Sequence, residues 1–308
     1  MSPHERERMT VVVVNWNGAH LLSDCLGPLT KRFPTVVVDN ASTDVSVTLM
    51  SSRFPEVQLI VNDGNAGFSR ANNQGIERAR TDYVLLLNND TIPDVRAIDE
   101  LAMFLDTHPV AGIVGPTLVN VDGSRQDSCG PGPNLKTELL AKTMLHRLLT
   151  GRRSWSPVNH RKVDWVTGAA LCIRRDLVLE LGGLDEGMFM FYEDLDLCAR
   201  AREAGHEVWF VATPPIVHLG GATRRHVEAR SLIDSYRSTQ RYFAKHGPAW
   251  RRRAVRAMTV PEVLVRSSLW AVLSVTPGRR PLARERLCAY REILRLAVGR
   301  AEQDAADG

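Results

Sequence analysis

Five short polar clusters hold the side chains best placed to do chemistry in this 308-residue chain. Four follow apolar runs: Asn15-Trp16-Asn17-Gly18, Asp39-Asn40-Ala41-Ser42, Asn62-Asp63-Gly64-Asn65-Ala66-Gly67 and Asn88-Asn89-Asp90. The fifth, Glu193-Asp194-Leu195-Asp196, comes about a hundred residues later. Amides and carboxylates bind hydroxyls and nucleobases, and carboxylates also bind hard cations. Each of the first four clusters, taken alone, is accounted for by turn formation or helix capping. Four at one edge point instead to a polar ligand. No GxGxxG follows the first apolar run and no GxxxxGK[ST] occurs, so neither glycine-rich phosphate cradle is present. What remains is a nucleotide held by side chains and a metal.

The elements that must position these clusters recur roughly every 25 residues: "TVVVVN" (10–15), "FPTVVVD" (33–39), "VQLIVN" (57–62) and "DYVLLLN" (82–88). Such continuous runs predict strands buried on both faces. Helical stretches lie between them at 18–31, 42–54 (opening with Ser42) and 67–80. This alternation predicts a parallel sheet covered by helices, with ligands beyond the carboxyl ends of the strands, where the four clusters sit. "AGIVGPTLVN" (111–120) is a further strand candidate. The following insert of some forty residues, Gly/Pro/Ser-rich and then basic, is either a lid or a tolerated surface loop. Strands at 163–167 and 169–173, a helix at 176–182 stopped by Gly182-Gly183, a helix from the fifth cluster to about Glu203, and the strand "HEVWFV" complete this part. Acidic residues at a helix start complement its dipole by roughly 0.3–1 kcal/mol each, a structural reason for Glu193 and Asp194. The same dipole favours the ionised carboxylate a general base needs.

Five scattered cysteines without a CxxC spacing argue against a disulfide framework or zinc site and for a reducing compartment. The short charged N-terminus carries no apolar signal core, so a cytoplasmic protein is expected. Charge is uneven: residues 1–223 hold 21 Lys/Arg against 27 Asp/Glu, and residues 224–300 hold 18 against 5. The basic third contains "WRRRAVRAMTVPEVLVRSSLWAVLSV" and "PLARERLCAYREILRLAVGR", after a helical stretch at 226–246 and a break at Pro248. In the latter, Leu287, Tyr290, Ile293, Leu294 and Ala297 or Val298 recur at helical spacing. No window reaches the ~20 apolar residues of a membrane span, and Arg266 interrupts the best one. Basic amphipathic helices lie on anionic membrane surfaces; the other reading is a bundle packed on the catalytic domain or on a second copy as a homodimer. Nucleic acid is not the expected partner, because aromatic interleaving is sparse.

In order and spacing, "VVVVNWNG", "VVVDNASTD", "NAGFSRANNQGI", "YVLLLNNDT", "WVTGAALCIRRD", "FYEDLDLC" and "HLGG" resemble the inverting glycosyltransferases of family 2, and within it rhamnosyltransferase-type enzymes, over roughly residues 9–240. The resemblance implies an α/β fold of GT-A type: a catalytic domain over 9–225, divided into a nucleotide-sugar-binding half (9–120) and an acceptor-binding half (121–225), followed by a basic helical region (226–300). It implies Asp39 as acceptor of a pyrimidine N3–H, Asn15, Asn17 and Asn40 around base and ribose, Asn65 and Gly67 closing over them, and Arg70 as a phosphate clamp. The family's Asp-x-Asp metal motif is here Asn88-Asn89-Asp90. Asp90 and His218 are thereby implied as ligands of Mg2+ or Mn2+, with Asn88 and Asn89 on the donor side, since a leaving pyrophosphate needs a Lewis acid. Asp194 is implied as the base, with Glu193 as its understudy, because inversion requires the acceptor proton to be removed. Trp165 and Gly168 would border sugar and acceptor. The implied activity is transfer of L-rhamnose from dTDP-L-rhamnose to a saccharide or polyprenyl-linked acceptor at the inner face of the cell membrane. A UDP-sugar donor (GlcNAc, Gal or similar) is the alternative. A nucleotidyltransferase would need a basic phosphate loop where "NWNGAH" has none, and a non-catalytic nucleotide-sugar binder would not need Asp194.

Overall fold

Valine- and leucine-rich runs form β1 (Met9–Asn15), β2 (Thr35–Asp39), β3 (Gln58–Val61) and β4 (Tyr83–Asn88), which pair in parallel in the order β3-β2-β1-β4. In this register Asn15 lies opposite Asp39 and Val14 opposite Asn88, so the polar clusters share one edge. Odd and even side chains serve opposite faces. Val11, Val13, Leu85 and Leu87 join one core, and Val12, Val84 and Leu86 the other. β3 departs from the expected two-sided burial, with Gln58 and Val61 exposed, because it is the edge strand.

The computed structural model describes residues 8–142, 157–220 and 228–306. The N-terminal leader (1–7), the middle of the basic insert (143–156), Gly221 of "HLGG" and the start of the stretch read as helical from 226 lie outside the described residues. The described residues fall into two compact units. One comprises 8–132, 157–189 and 193–220, and the other 133–142, 190–192 and 228–306.

In the first unit α1 (Ala19–Leu26), α2 (Ser46–Arg53) and α3 (Phe68–Arg78) connect the parallel strands. α2 starts four residues after Ser42, because Ser42 and Thr43 are already committed to Asp39 and Asn17. α4 (Val95–Thr107) was not anticipated; Asp94 caps it through Arg96 N–H, and Ile98, Leu101 and Leu105 enter the first core. Residues 111–120 are not one strand. Pro116 separates β6 (Ala111–Gly115) from β7 (Leu118–Val119), and β5 (Thr91–Ile92) lies just after β4. Next come β8 (Cys129–Gly130), α5 (Leu135–Lys142, which belongs to the second unit), β9 (Arg161–Val163), β10 (Trp165–Val166), β11 (Ala170–Arg174), α6 (Arg175–Glu180), α7 (Glu193–Glu203), β12 (Glu207–Phe210) and β13 (Ile216–His218). β11 inserts antiparallel between β4 and β6 in an eight-stranded sheet, β3-β2-β1-β4-β11-β6-β12-β9. A small sheet β5-β13-β7 delivers His218 beside Thr91.

The second unit contains α5, α8 (Glu228–Lys245), α9 (Ala249–Leu273) and α10 (Arg280–Ala306). Tyr236, Val263, Tyr290, Ile293 and Ala297 form its core, so the helical spacing read in the tail marks a bundle face. No helix among the described residues is long and apolar enough to cross a membrane. None of the five cysteines is joined in a disulfide.

Candidate active site

The strand ends converge in a network of amides and carboxylates. Asn15 donates to Asp39 Oδ1 (2.8 Å) and accepts from Asn89 Nδ2 (2.8 Å). A side chain at Gly18 would come within 2.3 Å of Asn89 Nδ2 and 2.5 Å of Asn15 Oδ1, so only glycine permits that approach. Asp39 is fully buried and also accepts from the Ser42 hydroxyl (2.7 Å) and Ser42 N–H (2.8 Å). Asn17, at φ 51°, accepts from Thr43 N–H (2.7 Å). Asn40 donates to Gly67 O (3.1 Å) and accepts from Asn62 (2.9 Å) and Ala66 N–H (3.2 Å), which fixes the 62–67 loop. Asn65 accepts from Gly67 N–H (3.0 Å).

Asp90 Oδ1 and His218 Nε2 stand 3.2 Å apart, with Asn88 Nδ2 3.5 Å from the same ring nitrogen. Gln126 sets the ring. Its amide nitrogen donates to His218 O (2.7 Å) and Asn120 Oδ1 (2.8 Å), which orients the amide oxygen toward His218 Nδ1 at 2.8 Å. Nδ1 therefore carries the hydrogen, and in the neutral ring the Nε2 lone pair faces a carboxylate oxygen. Two acceptors at that distance are reconciled by a shared proton or cation. The Asp90 carboxylate fits Mg2+ or Mn2+, which draw most of their other ligands from water and phosphate, and the His218 Nε2 lone pair beside it adds a nitrogen donor. Among the described residues no group of three or more His, Cys, Asp or Glu comes together for a metal.

The acidic pair is tied to this edge through the backbone. Asn88 N–H donates to Ala169 O (3.0 Å), and the neighbouring Gly168 N–H donates to Asp194 Oδ2 (2.8 Å). Asp194 Oδ1 accepts Leu195 N–H (2.8 Å) at the start of α7. Burial pushes the Asp194 carboxyl above its ordinary range, against the pull of the Gly168 and Leu195 N–H groups. Glu193 is buried next to it. Phe191 and Tyr192, just upstream, have φ of 70° and 65°, strained values for aromatic residues. Asp196, buried, pairs with Arg200 (2.7 Å), whose guanidinium donates to Leu181 O and Gly183 O. Segment 184–189 is also held by α3: Asn73 pairs with Leu184, Ser69 donates to Met188 O, and Phe68 N–H donates to Phe189 O.

The structure thus brings together Asn15, Asp39, Asn88, Asn89, Asp90, His218, Gly168 and Asp194. It does not gather all the expected residues. Arg70 is exposed, its Nε 4.0 Å from Glu186, and Trp165 packs on the second core with its indole N–H on Pro131 O (2.9 Å). Ser42 and Gln126 were not anticipated. Ser42 is marked in sequence as the end of a polar cluster and a helix start but not as a partner of Asp39, and nothing in "DGSRQDS" marks Gln126 as a partner of a histidine 92 residues away. Two clefts, of about 330 and 490 Å³, open at the opposite edge of the sheet, where β12 and β4 begin. In the second, Arg80, Arg174 and Arg175 donate to backbone carbonyls.

The family model described as glycosyltransferase-like family 2 matches residues 6–242. An N-acetylglucosaminyl-diphospho-decaprenol L-rhamnosyltransferase of Mycobacterium tuberculosis is 28% identical over 298 residues, covering 88% of this chain and 95% of the relative. The low-salt glycan biosynthesis hexosyltransferase Agl10 of Haloferax volcanii is 26% identical over 63% of this chain and 61% of its own. Among solved structures, a Pyrobaculum calidifontis mannosyltransferase in complex with GDP-Man and Mn2+ aligns with a TM-score of 0.54 and 17% identity over 94% of this chain and 87% of that one. S. aureus TarS aligns with a TM-score of 0.50 and 16% identity over 96% and 92%. These two likenesses bear on architecture, and the α/β fold is of GT-A type.

Proposed function

The chain belongs to glycosyltransferase-like family 2, and from that premise we propose that it moves L-rhamnose from dTDP-L-rhamnose, with inversion, to a hydroxyl of a saccharide or polyprenyl-linked acceptor in cell-surface polysaccharide synthesis. The sugar and the lipid-linked acceptor rest on the likeness to the Mycobacterium tuberculosis relative, whose name carries both. The observation that carries the chemistry is the short backbone link between Asn88, at the Asp90–His218 pair, and Asp194 through Ala169 and Gly168. It supports a base and a diphosphate site at one strand edge. In this reading residues 9–225 are the catalytic domain and 226–300 a basic appendage through which the enzyme would work in the cytoplasm at the inner face of the membrane.

In the proposed reaction Asp194 accepts the proton of the attacking hydroxyl as the new C–O bond forms at the anomeric carbon. The bond to the nucleoside diphosphate breaks on the opposite face and its electron pair leaves with the diphosphate. Asp194 then releases the proton to solvent. Asp90 and His218 would hold Mg2+ or Mn2+, which when bound supplies Lewis-acid neutralisation of the diphosphate charge. Asp39 and Asn15 shape the base pocket, with Asn17, Asn89 and the 65–67 loop around the rest of the donor and Gly168 on the acceptor side; Arg70 would reach the phosphates, and Trp165 the acceptor, from outside that cluster.

A thermal-shift panel of dTDP- and UDP-sugars with either metal tests the donor, because a ligand that binds only the folded state stabilises it by mass action. The expected result is the largest shift with dTDP-L-rhamnose plus metal, and an equal loss of shift and transfer on adding EDTA. A larger shift with a UDP-sugar would replace the donor, and EDTA-insensitive transfer would remove the metal.

A further inference from the structure

Residues 249–284 of the helical unit contain eight arginines and one acidic residue, Glu262. One face of α9 and α10 is spent on the bundle core through Val263, Tyr290 and Ile293. A second apolar face of α9 points outward: Leu264, Val265, Leu269 and Val272 are exposed at 51, 70, 53 and 70%, and Val275 in the following turn at 73%. Val265, Leu269 and Val272 recur at four- and three-residue steps with Leu264 beside them, one stripe of a helix. Every exposed position from 261 to 275 is uncharged. The two charges in that stretch, Glu262 and Arg266, pair with each other at 3.0 Å and are only partly exposed. Arginines flank both ends of the stripe, all exposed: Arg251 and Arg253 beside exposed Trp250, then Arg279, Arg280 and Arg284 beside exposed Leu282.

We infer that this stripe, from Leu264 through the turn to Leu282, is the surface by which the protein lies on an anionic lipid bilayer, the valines and leucines entering the acyl boundary and the arginines meeting lipid phosphates. An uncharged apolar stripe flanked by arginines and a tryptophan is the composition of an interfacial helix. A second copy of the chain is the poorer occupant. A two-fold contact on this stripe would set five exposed arginines against their duplicates, with the single glutamate of each segment already paired to Arg266. The inference deepens the peripheral-membrane reading above and is independent of donor identity.

Vesicle flotation of the full-length protein tests it, with phosphatidylglycerol–phosphatidylcholine vesicles against phosphatidylcholine alone. The wild type is expected to float with the anionic vesicles and to dissociate as salt is raised. Val265→Ser, Leu269→Ser and Val272→Ser combined should lower partitioning at least about tenfold, and Arg279→Gln with Arg280→Gln should lower it only on anionic vesicles. Circular dichroism melting of both variants should match wild type, since every changed side chain is exposed. Wild type that fails to float, or a triple variant that floats equally, overturns the inference. So does a dimer in sedimentation velocity that the triple variant dissociates, which would assign the stripe to a second copy. Donor-induced thermal shift on the same samples reports the glycosyltransferase reading separately.

Discussion

Asp194 has to be ionised to act as a base, while its burial favours the protonated form. The N–H groups of Gly168 and Leu195 offset part of that burial, leaving the carboxyl above its ordinary range. Activity that needs the ionised form therefore rises with pH through the raised value, and the acid limb of kcat/KM should lie above the ~3.9 of an unperturbed aspartate. Stability runs the other way: between the unfolded and the raised folded pKa the native state binds more protons, so stability falls as pH rises across that window. Asp194→Asn should remove that slope, cut turnover about 10²–10⁴-fold and keep the donor-induced thermal shift; undiminished turnover would reject Asp194 as base. Gln126 is argued by geometry alone. Gln126→Leu frees the ring of His218 to turn, and Mn2+ affinity read by titration calorimetry should weaken about 10–100-fold while the acid limb set by Asp194 stays in place. Asp90 and Asp194 stand at a strand end and a helix start that local pattern marks, whereas His218 is singled out only by the family resemblance. Gln126 could not be picked out from the sequence, because its role exists only once β13 folds beside the 120–126 turn.

The 62–67 loop shows how an element is made specific by a single backbone position. Gly67 has φ 88°, and a Cβ there would sit 2.7 Å from the Phe189 ring and 2.9 Å from its carbonyl oxygen. Gly67→Ala should destabilise by about 1–3 kcal/mol in urea denaturation, whereas Gly64→Ala, with nothing within 4 Å of its Cβ, should be neutral or stabilise slightly. Equal effects of the two substitutions would show that the close approach to Phe189 does not hold the loop. Local patterns made β1 to β4 and α3 readable, since each carries its own periodicity. β11 was readable as a strand, but its antiparallel place between β4 and β6 was not, because pairing partners about 60 to 90 residues apart leave no local trace. α4 did carry a signal, Asp94 followed by buried positions 97, 98, 101, 104 and 105.

On the scale of the whole molecule, the basic third does not divide neatly into a bundle or a membrane anchor, since α9 contributes Val263 to a core and turns Val265 and Val272 outward. Helical spacing in sequence registers both faces without saying which is covered. This changes what a truncation reports. Deleting 250–308 removes α9 and α10 together, stripping Val263, Tyr290, Ile293 and Ala297 from Tyr236 and leaving Leu232 and Ile233 of α8 uncovered. Losing several buried apolar contacts at once exceeds the about 2–5 kcal/mol of a single large-to-small core change, against a total stability of only about 5–15 kcal/mol. The truncated chain should therefore elute as aggregate in size-exclusion chromatography. A monodisperse truncated protein would show that the α8 face needs neither helix. Its disappearance from membrane fractions would then report the loss of a docking surface, which aggregation otherwise mimics, whereas the exposed-residue variants change the outward stripe and leave the bundle core intact.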